Sequence, residues 1–298
     1  MTISSAERKA RAGLPLARFM QVYLPLTVSR WLLKQGMARV RLDADLTREV
    51  VSAHGVPGEW IVPKNNPSDQ ALLYLHGGGF VLGMTPPHLQ MGAYLAQKMG
   101  MRILMIDYRV APEYPFPAAL DDCVTAYRWL LKQGFPAQNI VVAGDSAGGN
   151  LTITSLIKLR DNGNPLPAAA ACLSPVTDLT NKDNPRPGFK DPLLPPKATR
   201  FYTESYVGHN DARDPLISPV FGNLRGLPPL LVHVGEEEIL RDDALRIASL
   251  AKSADVDVRL EIYPRMWHVW QINLTLPQAI QSLDDIAQFL KAHLGTVT

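Results

Sequence analysis

The strongest constraint on the fold is a series of short, unbroken apolar runs: Ala71 to Leu75, Ile103 to Ile106, Ile140 to Ala143, Ala168 to Leu173 and Leu230 to Val234. A strand with one wet face alternates polar and apolar residues, so continuous runs of this length indicate strands covered on both faces. The intervals between them leave room for a helix or a long loop. That spacing gives parallel strands joined by crossovers, an α/β class. A sixth segment, Val258 to Tyr263, alternates and precedes Pro264. Upstream of the runs, Val40 to Leu46, Val50 to Val56 and Glu59 to Val62 mix polar with apolar residues between turns, which suits an antiparallel meander at one edge of the sheet. A final helix over about Leu276 to Leu294 sets Ile280, Leu283, Ile286, Phe289, Leu290 and Leu294 on one face, ready to dock on the sheet.

Two segments stand outside this pattern. From Ser5 to about Gly36 apolar residues recur at helical spacing, interrupted by Pro15 and Pro25, which predicts two short amphipathic helices. Between Thr177 and Pro219 the periodicity dissolves into a stretch rich in Pro, Asn and Asp (Asn184, Pro185, Pro187, Pro192, Pro195, Pro196), followed by Phe201, Tyr202 and Tyr206. Long irregular segments inside compact enzymes are often lids. The expected division is N-terminal helices over 1–40, a catalytic body over 41–176 and 211–298, and an inserted lid over 177–210.

A formal charge of only +2 over 298 residues provides no long-range field for nucleic acid or an anionic membrane. Only Cys123 and Cys172 occur, in no metal-binding spacing, so reduced buried thiols are expected. No apolar run approaches the ~20 residues of a membrane span. Residues 1–20 lack the pattern of a secretory signal, so a cytoplasmic location is expected.

Chemistry enters with Gly144-Asp145-Ser146-Ala147-Gly148, placed after the run Ile140 to Ala143 and before the helix-like stretch Gly149 to Asp161. Strand, sharp turn, helix is the context in which G-x-S-x-G raises a serine hydroxyl above a sheet edge, at a helix N-terminus that favours negative charge. Alone the pentapeptide is a modest signal that chance supplies often, and a structural Gly-rich turn is its plainer reading; the strand before it and the helix after it favour the nucleophile. His76-Gly77-Gly78-Gly79 follows the run Ala71 to Leu75, and backbone N–H groups of glycines can approach an oxyanion closely. Gly77, Gly78, Gly79 and Ala147 are the candidate donors. Among seven histidines, His268 stands on the loop after the last expected strand, where a general base meets the serine. The chain order nucleophile, acid, histidine places the third member between them. Glu236, Glu237 and Glu238 are candidates, with Asp242, Asp243 and Asp178 behind them.

These features together resemble the bacterial hormone-sensitive-lipase-like esterases of the α/β-hydrolase fold. The likeness runs from about Leu72 to Trp270. It rests on His76 to Gly79, Asp107 to Glu113 with Pro115 to Ala119, Gly144 to Gly149, and Tyr263 to Val269. It implies a mostly parallel central sheet with an antiparallel N-terminal edge, plus a helical cap. That family's acid sits in an Asp-x-Leu-x-Asp-Asp-like stretch, here Glu238-Ile239-Leu240-Arg241-Asp242-Asp243, which assigns Glu238. Arg109 and Glu113 then look like a buried scaffold, and His76 like an anchor for the glycine loop. The resemblance also allows a homodimer through the C-terminal strand or helix.

The expected function is a serine carboxylesterase acting on short- to medium-chain acyl esters through Ser146, His268 and Glu238, without metal or organic cofactor. Its partner is a small-molecule ester; neither nucleic acid nor stable membrane insertion is expected. Phe80, Met84, Tyr202 and Tyr206, with Tyr23, Leu24, Trp31 and Phe201, are expected around an apolar acyl pocket of limited depth. An amidase using the same triad, or a silent binding protein, are the rival readings; the first is separated by matched ester and amide assays, the second by a missing triad member.

Overall fold

The computed structural model describes residues 3–65, 69–181 and 189–295. Eight strands form one sheet in the order β1-β2-β4-β3-β5-β6-β7-β8: β1 (Leu46–Ala53), β2 (Val56–Pro63), β3 (Ala71–Leu75), β4 (Arg102–Ile106), β5 (Ile140–Asp145), β6 (Ala169–Leu173), β7 (Leu230–Gly235) and β8 (Val258–Tyr263). Strands β3 to β8 pair in parallel, whereas β1 with β2 and β2 with β4 pair antiparallel. Every residue of β3, β5, β6 and β7 is buried, which is what continuous apolar runs require. The outer strand β8 alternates and is partly exposed.

Helices cover both faces. On one side α4 (Ala118–Lys132), α5 (Ala147–Asp161) and α7 (Arg241–Ser253) bury Leu120, Leu151 and Ile247 against Leu73, Val142 and Val232. On the other, α3 (Pro86–Met99) and α8 (Pro277–His293) pack Leu89, Leu95, Leu283 and Leu290 against Leu72, Val141 and Leu231. Alternate residues of one strand thus feed opposite cores, as the period of two dictates. Cys123 and Cys172 are buried and unpaired. Among the described residues no helix is long and apolar enough to cross a membrane.

The N-terminal helices are α1 (Ser5–Tyr23) and α2 (Leu26–Met37). Two helices form here as expected, with the break at Pro25, while α1 continues through Pro15. Tertiary anchors hold the helix through it: Leu14 packs with Met266, Trp267 and Trp270, and Arg11 reaches Glu237 at 3.0 Å. The expected strand over 40–46 is also absent until Leu46, because Arg39 and Val40 close turns on Gly36 and Met37. In the segment 177–210 the structure forms α6 (Pro196–Val207). Asn184, Pro185 and Pro187 lie outside the described residues.

Candidate active site

The parallel strands end in loops on one rim of the sheet, and the expected reactive residues converge there. Ser146 follows β5 directly, with φ 54° and ψ −115°, a backbone conformation outside the ordinary regions for a side chain of its kind. The turn closes only because its flanking glycines carry no Cβ: one on Gly148 would run into the Leu75 carbonyl. The Ser146 N–H donates to Leu173 O at 2.8 Å, which ties the turn to β6.

His268 lies on the loop after β8. Its Nε2 is 2.9 Å from Ser146 Oγ and its Nδ1 is 2.7 Å from Glu238 Oε2. Of the acidic candidates, Glu238 alone bonds to the histidine; it is fully buried. Its other oxygen, Oε1, accepts from Ser174 Oγ at 2.8 Å and from the Gly235 N–H at 2.5 Å. Ser174 Oγ in turn accepts from the Val269 N–H at 3.2 Å. Ser174 and Val269 both have positive φ, 47° and 49°, so two strained residues hold the acid and the loop that carries His268. Burial alone would lower the His268 pKa, but the hydrogen bond and charge of Glu238 outweigh it and hold the imidazole above its ordinary value.

The remaining acids serve elsewhere. Glu237 pairs with Arg11, Glu236 accepts from the Arg265 N–H, and Asp178 pairs with Arg246. Asp243 accepts from the backbone of Thr177 at 2.6 Å and of Asp178 at 3.0 Å, fixing the start of the segment that leads to α6. Asp242 sits in the first turn of α7, where a helix N-terminus favours negative charge.

The glycine loop follows β3. Gly77 is not a free donor: its N–H goes to Asp145 Oδ1 at 2.9 Å. Gly78 and Gly79 N–H have no acceptor among the described residues, and the Ala147 N–H, first in α5, has no helical carbonyl behind it. Three of the four expected donors are therefore available, and the fourth holds the loop in place.

Asp145, the variable residue of the serine motif, is the unexpected organiser. Besides Gly77 it accepts from Tyr74 Oη at 2.8 Å and from His88 Nε2 at 3.1 Å. His88 Nδ1 accepts from the Thr85 N–H at 3.1 Å, so the ring proton is on Nε2 and is given to Asp145. Burial raises the Asp145 pKa, and His88 with the Tyr74 and Gly77 donors more than reverses it. A buried carboxylate thus joins the nucleophile turn to the glycine loop. Neither it nor Ser174 was accessible from sequence, since each depends on partners far along the chain.

His76 is buried, stacked on Tyr108 with ring centroids 4.2 Å apart, and its Nδ1 lies 2.7 Å from Gly77 O. Arg109 and Glu113, expected as a buried scaffold, are both exposed. Arg109 forks onto Asp122 and Glu113 onto Arg30 of α2, each charge keeping one side in water.

Ser146 and His268 open on a cavity of about 630 Å³ lined mainly by apolar side chains from α1, α2, α6 and the sheet loops. Phe80 and Tyr202 line it as expected, and a Cβ on Gly79 would meet the Tyr202 ring at 2.5 Å. Met84 and Tyr206 do not line it. Met84 is drawn into the core beneath α3, while Tyr206 stacks on Phe80 at 3.7 Å from behind. Leu24 and Phe201 do contribute to the cavity. Tyr23 and Trp31 do not; both point outward, 66% and 59% exposed.

A family model described as the alpha/beta hydrolase fold matches residues 72–272. The chain is 40% identical over 250 residues to an acetyl-hydrolase of Streptomyces hygroscopicus, covering 83% of each sequence. It is 37% identical over 239 residues to an esterase of Acinetobacter venetianus, covering 79% of this chain and 78% of that one. Among solved structures, an esterase from the bacterial hormone-sensitive lipase family superposes with a TM-score of 0.90 at 38% identity, over 99% of this chain and 100% of the other. Fold, reactive geometry and likeness agree, and the chain belongs to the α/β-hydrolase family, among the bacterial hormone-sensitive-lipase-like ester hydrolases.

Proposed function

We propose that this chain is a serine carboxylesterase that cleaves short- to medium-chain acyl esters through an acyl-enzyme on Ser146. The observation that carries the reading is the continuous hydrogen-bonded line from Glu238 through His268 to Ser146 beside an apolar cavity.

In this mechanism Ser146 Oγ attacks the ester carbonyl carbon as its proton passes to His268 Nε2. Glu238 accepts from Nδ1–H throughout, which fixes the tautomer and stabilises the imidazolium without taking the proton. The carbonyl oxygen, now an anion, is met by the N–H groups of Gly78, Gly79 and Ala147. Collapse of the tetrahedral adduct breaks the bond to the alcohol, which leaves with the proton from His268. Water then gives a proton to His268 and attacks the acyl carbon, and a second collapse frees the acid and restores Ser146.

The cavity is of ordinary small-ligand size and must hold both the acyl and the alcohol portions, which favours short and medium chains over long triglycerides. Phe80 and Tyr202 are assigned to substrate contact; Met84 and Tyr206 support them from the core. Residues 1–40 and 177–210 act as the cap over a catalytic body formed by 41–176 and 211–298.

The test is hydrolysis of p-nitrophenyl butyrate by the wild type and by Ser146→Ala, with both shown to be folded. Turnover that disappears in the variant supports the proposal. An equally active variant removes Ser146 from the chemistry, and activity that rises steadily toward long acyl chains removes the size limit.

A further inference from the structure

The catalytic reading does not use the outer face of the three helices around the cavity. Of the fourteen large hydrophobic side chains left exposed among the described residues, eight lie on α1, α2 and α6. On α1, Leu16, Phe19 and Tyr23 follow one another at helical spacing and are 65%, 57% and 66% exposed, and Trp31 on α2 is 59% exposed. A patch of this kind on a soluble chain marks a contact surface. It is continuous with the cavity mouth, because Met20, Leu32 and Phe201 are each both exposed and part of the cavity lining. Whatever covers the outer face also meets the entrance.

Charge identifies the occupant. The same three helices carry eight Lys and Arg against two Glu, of which Glu7 is buried, and the excess stays positive after Arg11 and Arg30 are paired with Glu237 and Glu113 from outside them. The chain as a whole is only +2, so the rest of the molecule is net negative and its near-neutral total conceals a basic, apolar end. Lys9 stands one heptad before Leu16 on the same face of α1, and Lys34 lies one turn beyond Trp31 on α2. The Lys197 ammonium sits 5.9 Å from the centre of the Tyr23 ring, which brings α6 to the same edge. Aromatic and aliphatic side chains among lysines are the chemistry of an amphipathic helix lying in an anionic lipid interface. We infer that α1, α2 and α6 form a docking face for the surface of an anionic lipid bilayer, with the cavity mouth opening onto the lipid so that esters enter from it.

Flotation of the full chain with phosphatidylcholine vesicles, alone or mixed with phosphatidylglycerol, tests this without turnover. A failure of docking is thereby separate from a failure of the esterase reading. The expected result is binding to the mixed vesicles, reversed by high salt, with a blue shift in the emission of the exposed Trp31. Phe19→Asp with Trp31→Asp, and separately Lys9→Glu with Lys34→Glu, should each weaken binding by about tenfold or more. None of these four residues lines the cavity, so hydrolysis of dissolved p-nitrophenyl acetate should stay as in the wild type. No flotation, or equal flotation with neutral vesicles, would overturn the inference. So would sedimentation showing a dimer that Trp31→Asp dissociates, which would assign the face to a second copy.

Discussion

Glu238→Gln keeps the size of the buried acid and removes its charge, and the surrounding hydrogen bonds dictate the consequence. Oε1 accepts from two donors, Ser174 Oγ and the Gly235 N–H. A glutamine there must keep its carbonyl oxygen toward those donors, because turning the amide would set N–H against N–H. Its NH2 then faces His268 Nδ1, which must accept, and the ring proton moves to Nε2, opposite Ser146 Oγ. The histidine is left in the tautomer that cannot take the serine proton. The same inversion in Ser-His-Asp enzymes costs about 10⁴-fold in kcat, roughly 5 kcal/mol of transition-state stabilisation. The pH profile supplies a second readout. In the wild type Glu238 holds the His268 pKa up against the pull of burial, so activity falls as pH drops through a value above that of ordinary imidazole. Without the charge, burial prevails and the residual acid limb moves to lower pH. The assay is kcat and kcat/KM for p-nitrophenyl butyrate across pH, with folding checked by circular dichroism. A variant within tenfold of the wild type, or an unmoved limb, would refute the assignment of Glu238.

Other parts of the molecule make their own predictions. Glu7 is fully covered, though by the flexible arginines Arg11 and Arg265 at the molecular edge rather than by deep core. Glu7→Gln should therefore cost about 2 kcal/mol, less than a deep ion pair, read as a Tm several degrees lower; an unchanged Tm contradicts the clamp between α1 and the histidine loop. Gly148→Ala should abolish soluble expression, since its Cβ collides with the β3 backbone; a folded variant would mean that the nucleophile turn is not built as described. The Asp243 carboxyl is pushed up to about 6 by burial. Being above its unfolded value, it favours folding while protonated and lowers stability by about 3 kcal/mol as pH rises from about 4 through 6. Asp243→Asn still offers an oxygen to Thr177 and Asp178, and urea unfolding across pH should lose that fall; an unchanged slope contradicts it.

The parallel sheet was legible because strands buried on both faces have no polar residues to disguise them, and β3 to β7 coincide with the apolar runs. Ser146 was legible because G-x-S-x-G after a strand specifies a turn, and His268 because it follows the last strand in the chain order nucleophile, acid, histidine. Chemistry alone did not separate Glu236, Glu237 and Glu238; only the likeness of the stretch Glu238 to Asp243 to the family's acid motif singled out Glu238, the one that the loop after β7 points at His268. The two N-terminal helices were legible, but not the passage of α1 through Pro15, because local propensity does not know that Leu14 and Arg11 are held by residues more than two hundred positions away. Which two of the three glycines keep a free N–H was not legible, because Gly77 spends its own on Asp145, a partner 68 positions away. Aromatic residues at the cap were legible as a group but not by direction: Tyr202 turns in, Tyr206 into the core, and Tyr23 and Trp31 outward.

Labelling with a fluorophosphonate ester, followed by intact mass and peptide mapping, reads out directly whether Ser146 is the activated nucleophile, because an unactivated serine hydroxyl does not attack phosphorus at a comparable rate. One adduct per chain is expected, on Ser146, with complete loss of esterase activity and no labelling of Ser146→Ala. Labelling at another residue, or full activity after Ser146 is modified, would contradict that role.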